Sequence, residues 1–395
     1  MDPKKFEAII IGAGSTGSSI AFNLVKKGVS NILVVDMSCV GCGQTSRSSA
    51  IIRLHYTNPE VRKMAVYSWR FWRDKFVEET GCEHDVFSET GVVFAGSREH
   101  REAMEEVVSD LKKMNTDVEL YEPDVFKKEI FKYFNDEGLD AIAWEPHSGH
   151  CDPNTAVQCF ISYSKDGGAK IMEGKRVDSL ILDGEVVTGV KIKGEMYKAD
   201  FIVNAMGVWA NDILRNINLE LPITVGKEEV LYLLTPEKRE VVPPGWEDLA
   251  LGFYSRPEGK TQTLIGGMEA EETNEEPIPG EYTAPPVHLI RMRSDPFLKR
   301  FPDMKDAKPH AAIIGYYDIT PDWQPIIGFD HRVKNLIHMV GLSGHGFKLA
   351  PAFGDIISDL IIHGSSKTFN IEGFSMRRFE KQESKHSKYK YGIVG

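Results

Sequence analysis

A chain of 395 residues, at about 150 residues per domain, has room for two or three domains and for a large core without staples. Hydrophobic residues make up 42% and charged residues 27%, the balance of a globular protein, which excludes a disordered or fibrous chain. Basic side chains number 47 against 58 acidic ones, so the net charge of −11 excludes a broad nucleic-acid or anionic-membrane surface and leaves room only for a local basic pocket. Glycine is the one excess, 35 residues or roughly 9% against a usual value of about 7%.

No signal-peptide core precedes Phe6, and no apolar run approaches the roughly 20 residues of a membrane span. The strand-like run Phe6–Ile11 is followed by a helical pattern over 15–27 with Ile20, Ala21 and Leu24 on one face, ended by Gly28, and then by a second strand at 32–36. Together they form a β-α-β unit. Cys39, Cys42, Cys82, Cys151 and Cys159 are an odd, sparse set, read as thiols of a cytoplasmic protein rather than as a disulfide framework. Cys39 and Cys42 form a lone C-x-x-C without a second pair or a histidine cluster, so no metal site is expected and the pair reads as loop.

Asn58-Pro59 opens a helix carrying Val61, Met64, Ala65 and Trp72, closed by Gly81. Ser97 caps another with Met104, Val107, Val108 and Leu111, and Asp152-Pro153 opens a third that ends at Gly167-Gly168. From Lys170 the pattern becomes a small β-meander with turns at Asp183-Gly184 and Lys193-Gly194, leading into a buried strand at 201–205. Strands at 230–234, 249–254, 263–267 and 311–317 predict an antiparallel sheet. A strand at 336–340, a glycine-rich turn at 341–346 and a helix through Phe353, Ile356, Ile357 and Leu360 follow. The basic stretch over 377–395 (Arg377, Arg378, Lys381, Lys385, Lys388, Lys390) reads as a solvated terminus.

Gly12-Ala13-Gly14-Ser15-Thr16-Gly17 stands between a strand and a helix, where the glycines permit a tight turn, approach of a pyrophosphate to the backbone, and close packing of helix on strand. Asp36 ends the second strand, where a carboxylate accepts from an adenosine ribose hydroxyl. Dinucleotide binding follows. A nicotinamide enzyme would complete a second mononucleotide half directly, whereas here a small polar loop, Gly41–Ala50, comes next.

These motifs, with Thr45–Tyr56, Gly207-Val208-Trp209-Ala210, Thr320–Gly328 and Gly344–Pro351, resemble the D-amino-acid oxidase (DAO) superfamily of FAD-dependent enzymes. Within it they are similar to the sarcosine oxidase and dehydrogenase branch, including the β subunits of heterotetrameric sarcosine oxidases. The resemblance implies an α/β fold: a Rossmann-like FAD-binding domain of the glutathione-reductase type, and an α+β substrate domain whose antiparallel sheet covers the flavin. The expected division is 1–80, 145–215 and 318–365 for the FAD-binding domain, 81–144 and 216–317 for the substrate domain, and 366–395 for the tail. Expected at the cofactor are Gly12, Gly14, Ser15, Thr16, Gly17 and Asp36, then Gln44, Thr45, Ser46, Arg47, Ser48 and Ser49, then Val177, Ala205, Gly207 and Trp209, and finally Gly344, Gly346, Phe347 and Lys348.

The resemblance further implies that Arg53 and Lys348 hold a substrate carboxylate beside the flavin, a planar fork and a point charge suited to that task. His345 is either an additional donor or a turn histidine. The family's covalent flavin anchors fall at Gly315 and Arg47, neither of which can serve, so FAD is expected to be held noncovalently. The place of an oxygen-activating lysine falls in the apolar Thr263–Met268, which favours a dehydrogenase over a fast oxidase. The expected reaction is oxidation of a secondary amine or amino acid, of the sarcosine or proline kind, by hydride transfer to flavin N5. The electron acceptor is oxygen or a redox partner, with a second subunit or homo-oligomer as a further expectation. Two alternatives stand beside it: a 2-hydroxy-acid or glycerol-3-phosphate oxidoreductase, with His55 or His345 as base, and a flavin-carrying subunit with little activity of its own.

Overall fold

The computed structural model describes residues 5–236, 241, 243–273, 287–384 and 387–394. Lys385 of the basic tail lies outside them.

Five strands, Lys170–Met172, Ile32–Val35, Lys5–Ile11, Glu195–Asn204 and Leu336–Val340, lie parallel in that order, and the unbroken apolar runs Ile32–Val35 and Leu336–Val340 are buried throughout, as strands covered on both faces are. They belong to an eight-stranded sheet among the described residues, completed by Ser179–Asp183, Val186–Ile192 and Ile326–Phe329. Ala8, Ile10 and Val34 meet Ile20, Leu24, Val157, Phe353 and Ile357 from the helices Ser15–Lys26, Pro153–Asp166 and Gly346–His363. On the other face Ile9, Ile11, Leu33 and Val35 pack against Val187, Val190, Ile213 and Leu214.

A second sheet, nine-stranded among the described residues and with Glu271–Thr273 at one edge, takes its strands from three separate stretches of chain. Thr224–Leu234 pairs with Lys308–Ile319 along most of its length, and Gln262–Gly267, Phe253–Glu258 and Gly245–Asp248 follow. Val92–Gly96, Ala141–Glu145 and Glu119–Tyr121 extend the sheet beyond them. Helix Val287–Arg300 covers one face, burying Phe297 against Leu231, Trp246, Phe253 and Ile265.

Several expectations are corrected. The sheet is not wholly antiparallel, because Gly245–Asp248 runs parallel to Val92–Gly96. The strand expected at 249–254 is split by a turn in which the Asp248 carboxylate accepts from Leu251 N (2.9 Å) and its carbonyl from Gly252 N (2.8 Å). The last meander strand and the buried strand at 201–205 are one strand, Glu195–Asn204. The helix opened by Asn58 loses its regular spacing in a π turn at Phe71–Lys75 before Gly81 closes it.

The cysteines are not all free: Cys39 is bonded to Cys42 and Cys82 to Cys159, with Cα separations of 5.3 and 5.5 Å that suit a disulfide. Folding, not sequence spacing, brings Cys82 to Cys159. The tail is not a solvated terminus either, for Tyr389, Tyr391, Ile393 and Val394 are buried in the core that holds Phe94 and Phe347.

The Cys82–Cys159 bond closes a long loop, with 77 residues of separation. In nonreducing buffer Cys82→Ser is therefore expected to cost about 2–4 kcal/mol, read as a lower urea midpoint, while Cys39→Ser, which opens a loop of only three residues, shifts it much less. Equal shifts would contradict this.

Candidate active site

The turn after Lys5–Ile11 opens a cleft between the two sheets, about 1350 Å³ with its open mouth. Gly12 has φ +105°, and a Cβ there would lie 2.4 Å from the Ala205 carbonyl oxygen; a Cβ on Gly17 would lie 1.9 Å from the Gly12 oxygen. Any side chain at either position breaks the cradle. The Thr45 hydroxyl accepts from Ser15 N (2.9 Å) and fastens the following loop over the turn. Asp36, half-buried, accepts from Ala13 N (2.7 Å) and Ser38 N (2.8 Å). Burial raises its pKa while these two bonds oppose the rise.

Most residues expected at the cofactor meet here: Gly12, Gly14, Ser15, Thr16 and Asp36; Gln44, Thr45, Arg47, Ser48 and Ser49; Val177, Ala205, Gly207 and Trp209; Gly344, Gly346 and Phe347. Three do not line the cleft. Gly17 packs behind it against Gly12, Ser46 donates to the Gly43 carbonyl (3.2 Å), and Lys348 lies deeper, its Nζ donating to the Gly344 carbonyl (3.2 Å).

The fit to a dinucleotide rests on two observations. The glycine cradle has space that a Cβ would fill, and Gln44 presents a buried amide nitrogen with no acceptor in the protein, while its Oε1 accepts from Tyr316 N (2.7 Å). A buried donor of this kind calls for a ligand acceptor. Gly315 and Arg47 face each other on the wall, a Cβ on Gly315 falling 3.7 Å from that of Arg47.

Beyond the cleft lies a buried group of charges. Arg53, in the segment after the short strand Ile51–Ile52, is 2% exposed and stacks on Tyr56, 4.4 Å from the ring centroid. Its Nε lies 3.4 Å from the Glu247 carboxylate, and its two terminal nitrogens donate to the carbonyls of His55 (2.8 Å) and Ile393 (2.5 Å). Lys348, in the first turn of Gly346–His363, is an electrostatic neighbour of both Arg53 and Glu247. Burial and then Arg53 pull its pKa down to about 7, with Glu247 opposing. Burial raises the pKa of Glu247, and Arg53 and Lys348 lower it. His345 is buried outside the cleft, its Nδ1 3.3 Å from the Tyr56 hydroxyl. Burial holds it well below the usual imidazole range, so it is neutral.

Sequence reading missed Glu228, Glu247, Tyr254, Tyr317 and Arg293. Glu228, Tyr254 and Tyr317 line the cleft, and Glu228 pairs in register with Gly315. The Glu228 carboxylate accepts from Gly267 N (2.7 Å) and lies 3.5 Å from Arg293; burial pushes its pKa up to about 8. A signal existed, because Gly226, Glu228 and Val230 alternate on the buried face of one strand. Among the described residues no three His, Cys, Asp or Glu side chains gather to hold a metal, and no helix is long and apolar enough to cross a membrane.

Comparison with known proteins bears on this geometry. A family model described as DAO, FAD dependent oxidoreductase, matches residues 7–360. The chain is 26% identical to FAD-dependent oxidoreductase domain-containing protein 1 of Xenopus laevis, covering 97% of this chain and 84% of that one. It is 25% identical to monomeric sarcosine oxidase of Bacillus sp. (strain B-0618), over 96% and 97% of the two chains. The crystal structure of L-proline dehydrogenase from P. horikoshii superposes with a TM-score of 0.87 at 28% identity, covering 97% of this chain and 100% of that one.

Gly12→Ala tests the cradle. FAD affinity is expected to fall by about tenfold or more, because a left-handed backbone and a carbonyl in contact leave no room for the methyl. Titration of the FAD-free protein, followed by flavin fluorescence, reads it; unchanged affinity would contradict the assignment.

Proposed function

The chain belongs to the DAO family of FAD-dependent oxidoreductases, and from that premise we propose that it oxidises a small carboxylated amine, a secondary amine or amino acid of the sarcosine or proline kind, as a dehydrogenase. The observation that carries this reading is a pair of buried basic side chains behind the cleft. Arg53 lies beside Glu247 and in the field of a second buried carboxylate, Glu145, and Lys348 adds to the group. Burial lowers the pKa of the lysine and raises those of both carboxylates, and a substrate carboxylate is the anion that the two basic side chains favour. The sarcosine oxidase and the proline dehydrogenase among the similar proteins support the substrate class.

FAD, when bound, supplies the two-electron acceptor. Gly12, Gly14, Thr45 and Asp36 would hold its dinucleotide part, and Gln44 and the N-terminal turn of Gly346–His363 its ring end, without a covalent bond at Gly315 or Arg47. Glu228, with Tyr254 and Tyr317 on the cleft wall, is placed to take the proton that an ammonium substrate must lose before oxidation, a role it can fill in its ionised form, which burial shifts to pH above about 8. The division into a flavin unit (1–80, 145–215, 318–365), a substrate unit (81–144, 216–317) and a tail (366–395) is part of this proposal, supported by the way the strands of the two large sheets sort between the units, while a small third sheet, Ile51–Ile52, Gly149–Cys151 and Phe87–Glu89, bridges them.

Two observations bear on the alternatives. The likeness to L-proline dehydrogenase favours a dehydrogenase of amines, while Arg293 brings a guanidinium beside Gly267, a place read from sequence as apolar, with the Glu228 carboxyl 3.5 Å away. His55 and His345, the bases considered for a hydroxy acid, face Tyr389 and Tyr56 rather than the cleft.

Lys348→Met is expected to retain FAD and lose at least about a hundredfold in kcat/KM for carboxylated amines, as removal of a charge-assisted contact requires. Burial and Arg53 pull the pKa of the lysine down to about 7, so its positive charge is lost as pH rises through that range. The inhibition constant of acetate, an unreactive carboxylate, is therefore expected to rise by about tenfold per pH unit above 7, and to lose that dependence in the variant. Wild-type kinetics in Lys348→Met would overturn the assignment.

A further inference from the structure

The segment Ser387–Val394 lies over Arg53: the Ile393 carbonyl accepts from its Nη2 at 2.5 Å, and the Tyr389 hydroxyl meets Nε2 of His55 at 2.6 Å. Two glycines accommodate the segment. A Cβ on Gly344 would come within 3.2 Å of both the Ile393 Cδ1 and the Tyr317 ring, and one on Gly252 within 2.8 Å of the Tyr391 hydroxyl. Gly344 and Tyr317 line the cleft. Ile393 therefore joins the cleft wall to Arg53.

We propose that this segment is a built wall of the substrate chamber, in which Ile393 is a specificity-determining residue and its carbonyl, with the Tyr389 hydroxyl, positions Arg53 and His55. The inference rests on the reading of a small carboxylated ligand given above. A displaceable plug is excluded by burial, since Tyr389, Tyr391, Ile393 and Val394 together remove more apolar surface from water than a small carboxylate can repay. With the Ile393 carbonyl in place each nitrogen of Arg53 has one protein partner, which leaves one N–H on each terminal nitrogen for a ligand, and the guanidinium is held beside Tyr56 and Phe94 before any ligand arrives. The Ile393 side chain, on Gly344 as Tyr317 is, sets the size of the group that fits beside the carboxylate.

The test uses the FAD-bound protein as wild type, Ile393→Ala, Ile393→Leu and a chain ending at Ser384. Acetate and benzoate binding are read from the flavin absorption spectrum, apart from any turnover. Ile393→Ala is expected to shift the ratio of the two dissociation constants toward benzoate by about tenfold or more, Ile393→Leu to restore most of it, and FAD to stay bound in both. An unchanged ratio in FAD-loaded Ile393→Ala overturns the wall, as does a folded truncated chain that discriminates like the wild type; if the truncated chain does not fold, the Ile393 pair decides. Turnover of N-methylglycine and proline is measured separately. Its absence with the ratio shifted contradicts the functional reading and leaves the wall standing.

Discussion

A guanidinium buried in protein must have its charge answered and its nitrogens occupied, and Arg53 draws on much of the structure to meet that demand. Glu247 comes from the second sheet, the Ile393 carbonyl from the last described residues, and the His55 carbonyl from its own segment. Lys348 enters the same group from the helix that backs the parallel sheet. Segments distant in sequence thus converge on one charge, and their convergence fixes where the two sheets meet. Local cationic character inside a chain of net charge −11 is the outcome.

The cleft depends on this junction. Its dinucleotide end is a local matter, a strand, three glycines and a helix, with the loop at 41–50 fastened over them by Thr45. Its other end needs both sheets. Gln44 reaches from that loop to Tyr316 of the second sheet, and in the register of that sheet Glu228 stands beside Gly315. A ligand spanning the cleft touches both layers, so the order of its ring end follows from the packing of one sheet against the other.

The parts that sequence made legible are the contiguous ones. Gly12, Gly14, Gly17 and Asp36 carry their meaning in spacing, and the 44–49 loop and Gly344–Phe347 follow from motif order. Glu228 and Glu247 were missed because their role comes from strand register, which relates residues more than eighty positions apart, as with Glu228 and Gly315. In the tail, the count of lysines hid the alternation of buried Tyr389, Tyr391 and Ile393 with Lys388, Lys390 and Gly392. Proximity of Cys82 to Cys159 likewise has no trace in local spacing. Helix Val287–Arg300 carries an internal proline, Pro296, and five basic side chains or histidine interspersed with its apolar ones, a composition that conceals its buried face of Leu289 and Phe297.

The central claim is that two buried cations behind a flavin cleft select a carboxylate attached to an oxidisable amine. Anaerobic mixing of the FAD-bound protein with proline and with pyrrolidine, which differ only in the carboxylate, tests it most directly. Bleaching of the flavin absorbance by proline, or by N-methylglycine where the ring is too large, and at least about a hundredfold slower bleaching by the amine without the carboxylate is the predicted result. Equal rates with and without the carboxylate, or bleaching by 2-hydroxy acids alone, would contradict it.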